Sequence, residues 1–409
     1  MPPIAAPAAR TRTRAGRPPV PAARRHQAPG GGDGFRSPPA RLGDALARAA
    51  PALLGYLAVR LLGLAVLAKW AHLKGHGVWT TLATSWDSHW YLGIADHGYD
   101  HVLGTQLNHN NLAFFPLYPV VVKVCAAVAP GSRASVGLVV AVVCSGAAAW
   151  GVFAVGDRLY GRRAATVLAV LWGALPVAVV QWMGYTESLF TALAAWSLYC
   201  VLTGRWAAAG TLAALAGLTR PTGIAVAAAV SLAALATLWR SGFARRPLAA
   251  ALLAPLGWFG YVAWVGARLG RWDGYFAVQK LWGNQWDGGA DTLRELRTLL
   301  VYDRSPALFL VVVSLVLILA GVLFLLCLAD RQPLVLLIFT GMLLVVVLGS
   351  GGVYFPRARF LIPGFPLLLP LALALSRARR HVAVLLTVAA ALSSAWLGAY
   401  MLLVWPGPP

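Results

Sequence analysis

The sequence predicts an all-α protein that crosses a membrane many times. Of its 409 residues, 59% are hydrophobic and only 11% are charged. Long apolar runs recur between residues 50 and 403. Because a bilayer offers no water to backbone polar groups, such runs are typical of transmembrane helices, which satisfy those groups internally.

The first 48 residues form a separate region, rich in Pro, Ala, Gly and Arg. This segment has little apolar material to bury, so we expect residues 1–48 to be a disordered tail that its arginines keep in the cytoplasm. The net charge of +21 does not indicate a nucleic-acid partner. The arginines lie in the tail and in short loops, where they orient helices and meet anionic lipid head groups.

The loop charges predict a transmembrane domain at 49–405 with eleven spans, a cytoplasmic N-terminus and an outer C-terminus. The predicted spans are 50–70, 135–156, 164–181, 188–203, 206–219, 221–239, 247–267, 306–328, 333–349, 360–375 and 382–403. Two long outer loops follow at 71–134 and 268–305. The apolar run at 112–130 contains prolines and Lys123, and counting it as a span would place a strongly basic loop outside. We therefore expect it to form an interfacial helix.

This topology places nine of the 13 acidic residues on the outer face. The chain contains no P-loop, GxSxG, HExxH or dinucleotide-binding glycine pattern, and its cytoplasmic loops are too short for a nucleotide site. An enzyme of this kind would act on a substrate that reaches the outer leaflet, most simply a lipid-linked one.

The first outer loop contains the stretch "WDSHWYLGIADHGYD", Trp86 to Asp100. If it is helical, Asp87 shares a face with Trp90 or Tyr91 and with Ile94. A carboxylate among aromatic side chains suits a general base, although Asp87 would equally suit a helix cap. The residues expected to point elsewhere, or to serve the helix surface and loop, are Ser88, His89, Asp96 and Asp100.

Histidines are concentrated in the same loop. Six of the eight lie between residues 72 and 109: His72, His76, His89, His97, His101 and His109. With Asp87 and Asp96 they could bind a divalent metal ion. Their spacing fits no standard ligand set, so we assign no metal-binding residues, and solvated loop histidines are the alternative.

Two cationic turns are predicted on the outer side. "GLTRPTG" contains Arg220, and "GGVYFPRARF" contains Arg357 and Arg359. The planar guanidinium of Arg suits a phosphate at the bilayer surface. The alternative is an arginine that extends to lipid head groups, which applies equally to Arg359. Arg220 is harder to explain in that way, because the positive-inside tendency disfavours it on this face.

These residues resemble a known family. "WDSHWYLGIADHGYD" followed by "NLAFFPLYPVVV" is similar to the signature of the PIG-V mannosyltransferases, the family of GPI mannosyltransferase 2 and its bacterial relatives. Further similar segments are "YTESLF", "LTRPTG" and "FPRARFLIPGFPLL", so the resemblance spans most of 50–375. The sequence departs from the family in its long tail and at Pro221.

The resemblance implies a GT-C glycosyltransferase fold with interfacial helices in the first outer loop. It implies inverting transfer of mannose from a polyprenyl-phosphate-linked donor to an acceptor hydroxyl on the extracytoplasmic face. Asp87 would be the general base and Arg220 would stabilise the leaving phosphate. The candidate substrate-binding residues are Trp86, Trp90, Tyr91, Asn111, Glu187, Arg220 and Arg357.

The expected partners are the lipid-linked donor, membrane lipids and a glycolipid, glycan or protein acceptor, in a bacterial plasma membrane. One alternative is a GT-C transferase for another lipid-linked sugar. A lipid-sugar flippase or other transporter is the alternative from a different class. It would carry polar groups at mid-membrane depth, and the predicted spans are nearly free of them.

Overall fold

The computed structural model describes residues 42–107 and 109–409, so most of the predicted tail lies outside the described residues. The first half of the domain contains helices α1 Leu42–Lys74, α2 Val78–Ala83, α3 Asp87–His97, α4 Leu117–Ala126, α5 Arg133–Tyr160, α6 Arg162–Gly173, α7 Glu187–Leu202 and α8 Trp206–Gly217. Short 3₁₀ turns occupy Asn111–Ala113 and Ala178–Trp182.

The second half contains α9 Gly223–Ser241, α10 Arg245–Leu253, α11 Leu256–Arg268, α12 Gly274–Leu281, α13 Ala290–Arg297, α14 Leu308–Ala329, α15 Leu334–Gly349, α16 Arg357–Phe360, α17 Leu369–Arg377 and α18 Arg380–Leu403. A π-helical turn follows α13 at Thr298–Tyr302, and a 3₁₀ turn precedes α17 at Phe365–Leu368. Two short strands, β1 Gln285–Trp286 and β2 Ser350–Gly351, pair antiparallel and join the second outer loop to the end of α15.

Within residues 42–107 and 109–409, six helical segments are long and apolar enough to cross a membrane. They are Leu42–Lys74, Arg133–Tyr160, Gly223–Ser241, Arg245–Arg268, Leu308–Ala329 and Arg380–Leu403, and each coincides with a predicted span. The other predicted spans fall on shorter helices, so the membrane-protein class is confirmed but the count of eleven spans is not.

The predicted span 164–181 is broken in the structure. Helix α6 ends at Gly173, shortly before Pro176, and the chain continues as a 3₁₀ turn. Two buried backbone carbonyls beside the break accept hydrogen bonds from side chains. The Gln181 amide donates to Trp172 O at 2.9 Å, and the Ser188 hydroxyl donates to Gln181 O at 2.7 Å. Non-helical backbone is tolerated at membrane depth only where the protein satisfies it in this way.

The helices pack through small residues, as membrane helices commonly do. A Cβ atom at Gly257 of α11 would overlap the carbonyl oxygen of Ala214 in α8, and one at Gly173 would overlap the ring of Tyr56 in α1. Only glycine permits these approaches. The resulting core is lined largely by buried Ala, Val and Leu side chains.

Residues predicted on one side of the membrane lie at one end of the helices. Arg48 in α1 forms an ion pair with Asp157 in α5, with Nε 2.6 Å from Oδ2, and Arg162 donates to the Arg48 carbonyl at 3.1 Å. At the opposite end Lys74 donates to Leu403 O at 3.3 Å. This sorting agrees with the predicted topology, whereas the direction in which the ends face stays a prediction.

Arg60 is an exception to the nearly uncharged spans. It lies in the middle of α1, its side chain is buried, and its Nη2 atom donates to the Ser394 hydroxyl in α18 at 3.4 Å. Within the described ranges, 42–107 and 109–409, no carboxylate lies within ion-pair distance of it. A single arginine of this kind does not make the chain of titratable groups that a transport path would use.

The first outer loop contains a short helix where the sequence predicts an interfacial one. Helix α4 has 10 residues, which corresponds to about 15 Å and thus about half of the hydrocarbon thickness. The second outer loop packs against this region: Arg268 donates to Tyr99 O at 2.8 Å and the Trp282 indole donates to Asn110 O at 2.8 Å. The two loops therefore form one structure above the bundle.

Candidate active site

Helix α3 presents Asp87 at its first position. Trp86, directly before it, has φ 51° and ψ −117°, a backbone conformation that non-glycine residues rarely adopt. Strained residues of this kind concentrate at functional sites. The Asp87 carboxylate does not cap the helix. Its Oδ2 atom lies 2.5 Å from Nη2 of Arg359, so the carboxylate is directed into a cluster of charges.

The inward face of α3 differs in one respect from the expected one. Tyr91 and Ile94 are buried as predicted, but Ser88 is buried as well. Ser88 lies against Gly184, where a Cβ atom would come within 3.0 Å of the Ser88 hydroxyl oxygen. The expectation that Ser88 points away was wrong, because the broken segment before α7 packs along this side of α3.

Four charged side chains alternate in sign through the site. Arg359 contacts Asp87, and its Nε atom lies 3.5 Å from Oε1 of Glu187. Glu187 Oε1 is also 2.5 Å from Nη1 of Arg220. The side chain of Asp87 is 21% exposed, whereas that of Glu187 is 1% exposed. We call Asp87, Arg359, Glu187 and Arg220 the charged cluster.

A helix start, a turn between two helices and a short helix place the other three members of this cluster beside Asp87. Glu187 is the first residue of α7, where the positive end of the helix dipole favours a carboxylate. Arg220 lies in the turn between α8 and α9, and Arg359 lies in the four-residue helix α16. The residues come from distant parts of the sequence, and only the packing of the helix ends brings them together.

Aromatic rings enclose the two arginines. The Arg359 guanidinium lies 5.0 Å from the centre of the Tyr185 ring, and those of Arg359 and Arg220 lie 5.4 and 5.2 Å from that of Phe360. Rings at these distances stabilise a cation whose hydration is reduced. Burial alone would lower the pKa of Arg359, but the attraction of Asp87 and Glu187 outweighs it and raises that pKa. Arg359 is therefore a permanent cation.

Two tyrosine hydroxyls lie beside the charged cluster. Tyr91 and Thr186 share a hydrogen bond of 3.2 Å, and the Tyr185 hydroxyl accepts from the Asp87 backbone N–H at 3.4 Å. Burial raises the pKa of both Tyr91 and Tyr185, and the Asp87 charge raises it further. Both hydroxyls consequently stay protonated at neutral pH.

Part of the hydrogen-bonding capacity of the cluster is unused. Within residues 42–107 and 109–409, Nε and Nη1 of Arg359 have no hydrogen-bond partner, although both are buried. The close contact between Arg220 and Glu187 brings opposite charges together without the alignment of a hydrogen bond. Because Nε faces Glu187 Oε1 at 3.5 Å, Nη1 is the donor that stays free. Buried polar groups are nearly always paired, so this free donor on a cation is suited to an incoming anion.

Arg357 belongs to a different cluster. Its buried guanidinium lies 3.3 Å from Oδ2 of Asp291, contacts the Thr292 hydroxyl, and lies 5.1 Å from the centre of the Tyr354 ring. Burial lowers the pKa of Arg357, and Asp291 opposes that shift. The structure does not bring Arg357 to Asp87, so its substrate-binding role stays a prediction that the geometry does not favour.

Asn111 uses its polar atoms within the loop. Its amide donates to Gly98 O at 3.1 Å, and its Oδ1 accepts from the Asp100 N–H at 2.9 Å. Asp100 in turn accepts from the Asn111 N–H at 2.9 Å. Trp90 stacks on Phe114, with ring centres 5.7 Å apart. These residues shape the first outer loop, and Asp100 has the loop role that the sequence suggested.

Asp96 and three histidines of the first outer loop have other surroundings. Asp96 pairs with Arg133 at the start of α5. His89, His97 and His101 line an open surface cavity of about 340 Å³ beside Trp90. In the described part of the chain, no three His, Cys, Asp or Glu side chains form a group suited to a metal ion.

Sequence reasoning selected Asp87, Glu187 and Arg220, which the structure brings together, and passed over Arg359. Arg357 and Arg359 are two residues apart in the same motif, so the sequence gives no basis for choosing between them. Tyr185 and Thr186 were also missed. Their position beside Glu187 in "YTESLF" was the available signal.

Residues 71–256 match the family model described as Mannosyltransferase (PIG-V). No curated protein matches the chain. Among solved structures, the chain is similar to the archaeal oligosaccharyltransferase AglB from Archaeoglobus fulgidus in complex with an inhibitory peptide and a dolichol-phosphate, with 16% identity and a TM-score of 0.50. The match covers 87% of this chain and 56% of that one.

A second structure of the Archaeoglobus fulgidus oligosaccharyltransferase, tethered with an acceptor peptide, matches with 13% identity, a TM-score of 0.48 and the same coverage. The chain thus spans little more than half the length of these structures. At such low identity, the likeness to AglB at TM-score 0.50 concerns the fold alone. The protein has a GT-C fold, and its segment 71–256, which contains Asp87, Glu187 and Arg220, matches the PIG-V mannosyltransferase family model.

Proposed function

We propose that the protein transfers mannose from a polyprenyl-phosphate-linked donor to an acceptor hydroxyl on the extracytoplasmic face of a bacterial plasma membrane. The observation that carries this proposal is the charged cluster. It combines one reachable carboxylate with two buried arginines, one of which has a free N–H donor. The family match supports mannose, and the apolar helices around the site suit a lipid-linked substrate.

Asp87 is the general base in this proposal. Of the two carboxylates in the cluster, only Asp87 is partly exposed, at 21% against 1% for Glu187. A general base must come within hydrogen-bond distance of the proton it removes, so the enclosed Glu187 is unsuited to that role. Glu187 instead holds Arg220 and Arg359 in place through its Oε1 atom.

The reaction is a single displacement that inverts the anomeric carbon. The acceptor oxygen forms a bond to that carbon while the bond to the donor phosphate oxygen breaks. The acceptor proton passes to Asp87, and the electron pair of the broken bond stays on the phosphate. The leaving phosphate gains one negative charge as Asp87 loses one, so the arginines face the same total charge throughout.

Arg359 and Arg220 bind the phosphate in this proposal. The free Nη1 atom of Arg359 lies beside Nη2, which contacts Asp87, and these two ends of the planar guanidinium form the fork that matches phosphate oxygens. Donors that are already oriented and shielded from water stabilise developing charge most effectively. No metal ion is needed for this charge balance.

A transfer assay tests the proposal. The full chain in detergent is given synthetic polyprenyl-phosphate mannose and candidate glycolipid, glycan and peptide acceptors, and Asp87→Asn is compared with wild type. We expect transfer to fall about a hundredfold to ten-thousandfold, the usual contribution of a general base. Near-normal transfer by folded Asp87→Asn would rule out Asp87 as the base.

Asp96→Asn is the matched control, because Asp96 is at the other end of the same helix and, among residues 42–107 and 109–409, forms its ion pair with Arg133. It should keep wild-type transfer. Polyprenyl phosphates carrying arabinose or glucose test the alternative donor, and glycan analysis of a deletion strain identifies the acceptor. Reporter fusions after residues 75 and 160 test the orientation, which requires them to lie on opposite sides.

A further inference from the structure

The position of Arg359 depends on contacts outside its own helix. Helix α16 has only four residues, from Arg357 to Phe360. A helix of that length has no stability of its own in isolation. Side chains two positions apart on a helix point about 200° from each other. Arg357 and Arg359 therefore extend to opposite sides, one to the second outer loop and the other to Asp87.

Arg357 is held on three sides, two of them formed by the second outer loop and the third by Tyr354. Asp291 Oδ2 lies 3.3 Å from its Nη2 atom, the Thr292 hydroxyl contacts its Nη1 atom, and the Tyr354 ring lies 5.1 Å from its guanidinium carbon. Only 2% of the Arg357 side chain is exposed. A buried cation with these partners cannot move without losing several contacts at once.

Asp291 is itself fixed by the backbone. Its Oδ2 atom accepts from the Gly352 N–H at 2.9 Å, and its own N–H donates to Asp287 at 2.8 Å. Thr292 donates to Leu348 O at 2.6 Å. Strand β1 of the loop pairs with β2 in the same region, through Gln285 with Gly351 and Trp286 with Ser350. The loop is thus bound through backbone hydrogen bonds to the segment that leads into α16.

We propose that Asp291 and Arg357 are positioning residues that set the Arg359 guanidinium between Asp87 and the donor phosphate. This inference rests on the proposed function. If Asp291 no longer holds Arg357, the short helix is free to rotate about its axis, and Arg359 on its other side moves with it. The second outer loop thereby influences donor binding indirectly, through the position of Arg359, without contacting the donor.

The test is a double-mutant cycle on donor kinetics. Asp291→Asn and Arg359→Gln are made singly and together in the full chain, and KM for polyprenyl-phosphate mannose and kcat are measured separately. Asp291→Asn should raise the donor KM about tenfold with a smaller change in kcat, because small misplacements of a binding group are costly. In the Arg359→Gln background the same change should have no further effect on KM.

Asp303→Asn is the control, since Asp303 is exposed in the same loop and its carboxylate accepts from the Ser305 N–H, a contact far from Arg357 in sequence. If Asp291→Asn does not fold, Thr292→Val replaces it, because it removes a contact to Arg357 and keeps the carboxylate. An unchanged donor KM in the folded variant, or an equal rise in both backgrounds, overturns the inference. Absence of transfer by wild type would instead reject the proposed function.

Discussion

Two arginines of one four-residue helix illustrate how differently a buried cation can be used. Arg357 and Arg359 are both nearly inaccessible, each lies over a tyrosine ring at 5.0 to 5.1 Å, and each faces a carboxylate. The guanidinium of Arg357 is enclosed by Asp291, Thr292 and Tyr354. That of Arg359 keeps its Nη1 donor free within the described ranges and faces a carboxylate that solvent can reach.

The difference separates a structural ion pair from a candidate catalytic one. Both arginines lie beside a buried acid, so burial and charge pairing alone do not distinguish them. What distinguishes them is unused hydrogen-bonding capacity beside a reachable base. Substituting matched residues in the two clusters breaks or sharpens the contrast.

The carboxylates should give the largest effect. Glu187→Gln leaves Arg220 and Arg359 facing a neutral amide in a buried site, which we expect to cost about 3–5 kcal/mol of stability and to abolish most transfer. Melting of the purified protein and the transfer assay measure these losses. Glu295→Gln is the control, because Glu295 is partly exposed and its contact with Arg294 is long, at 4.0 Å. A stable, active Glu187→Gln protein would show that the cluster is not held by this carboxylate.

The arginines should give the next largest effect. Arg359→Lys keeps the charge but loses the planar fork, so we expect the donor KM to rise about tenfold. Arg357→Lys keeps a cation that Asp291 can hold, so it should change the donor KM about threefold or less and mainly lower the melting temperature. Steady-state kinetics on both variants make the comparison. The reverse order of effects would mean that the two clusters have been assigned the wrong roles.

The tyrosines should give a smaller effect. Tyr185→Phe keeps the ring under Arg359 and removes a 3.4 Å contact with the Asp87 N–H, so transfer should fall about twofold to fivefold. Tyr354→Phe removes a 2.8 Å hydrogen bond with Ser314, which should cost about 1 kcal/mol of stability and leave transfer unchanged. Equal transfer losses in both variants would contradict the contrast.

Acidification should give the smallest effect, confined to the Arg357 side. Hydrogen bonds from backbone N–H groups, chiefly that of Asp291, lower the pKa of Asp287 from its usual 3.8. Its stabilising charge is therefore present above about pH 4 and is lost as pH falls through the lower folded pKa. Hydrogen exchange of residues 285–291 should quicken in that acid range, and Asp287→Asn should remove the step.

Much of the fold was predictable because the hydropathy and charge of consecutive residues locate membrane spans without knowledge of tertiary contacts. Each of the six long apolar helices coincides with a predicted span. The predicted span 164–181 failed because Pro176 and the surrounding side-chain hydrogen bonds favour a break that hydropathy does not register. Asn111 was expected to bind substrate, yet its amide holds the loop, since composition cannot tell which polar atoms the backbone will use.

The site was only partly predictable. Asp87, Glu187 and Arg220 could be selected because acids are scarce and because Arg220 runs against the positive-inside tendency in the predicted topology. The choice between Arg357 and Arg359 depends on how a single turn of helix is rotated, and neighbouring residues in sequence do not fix that rotation. Helix packing decided which arginine faces Asp87.

The docking of the two outer loops has a consequence for how this scaffold diversifies. Arg268 and Trp282 bind the first loop through the carbonyl oxygens of Tyr99, Asp100 and Asn110. Every amino acid presents the same carbonyl, so replacing most side chains of the first loop leaves these contacts in place. Under the proposed function, variation of these side chains would remodel the loop surface toward other acceptors while the loop stays anchored above the charged cluster.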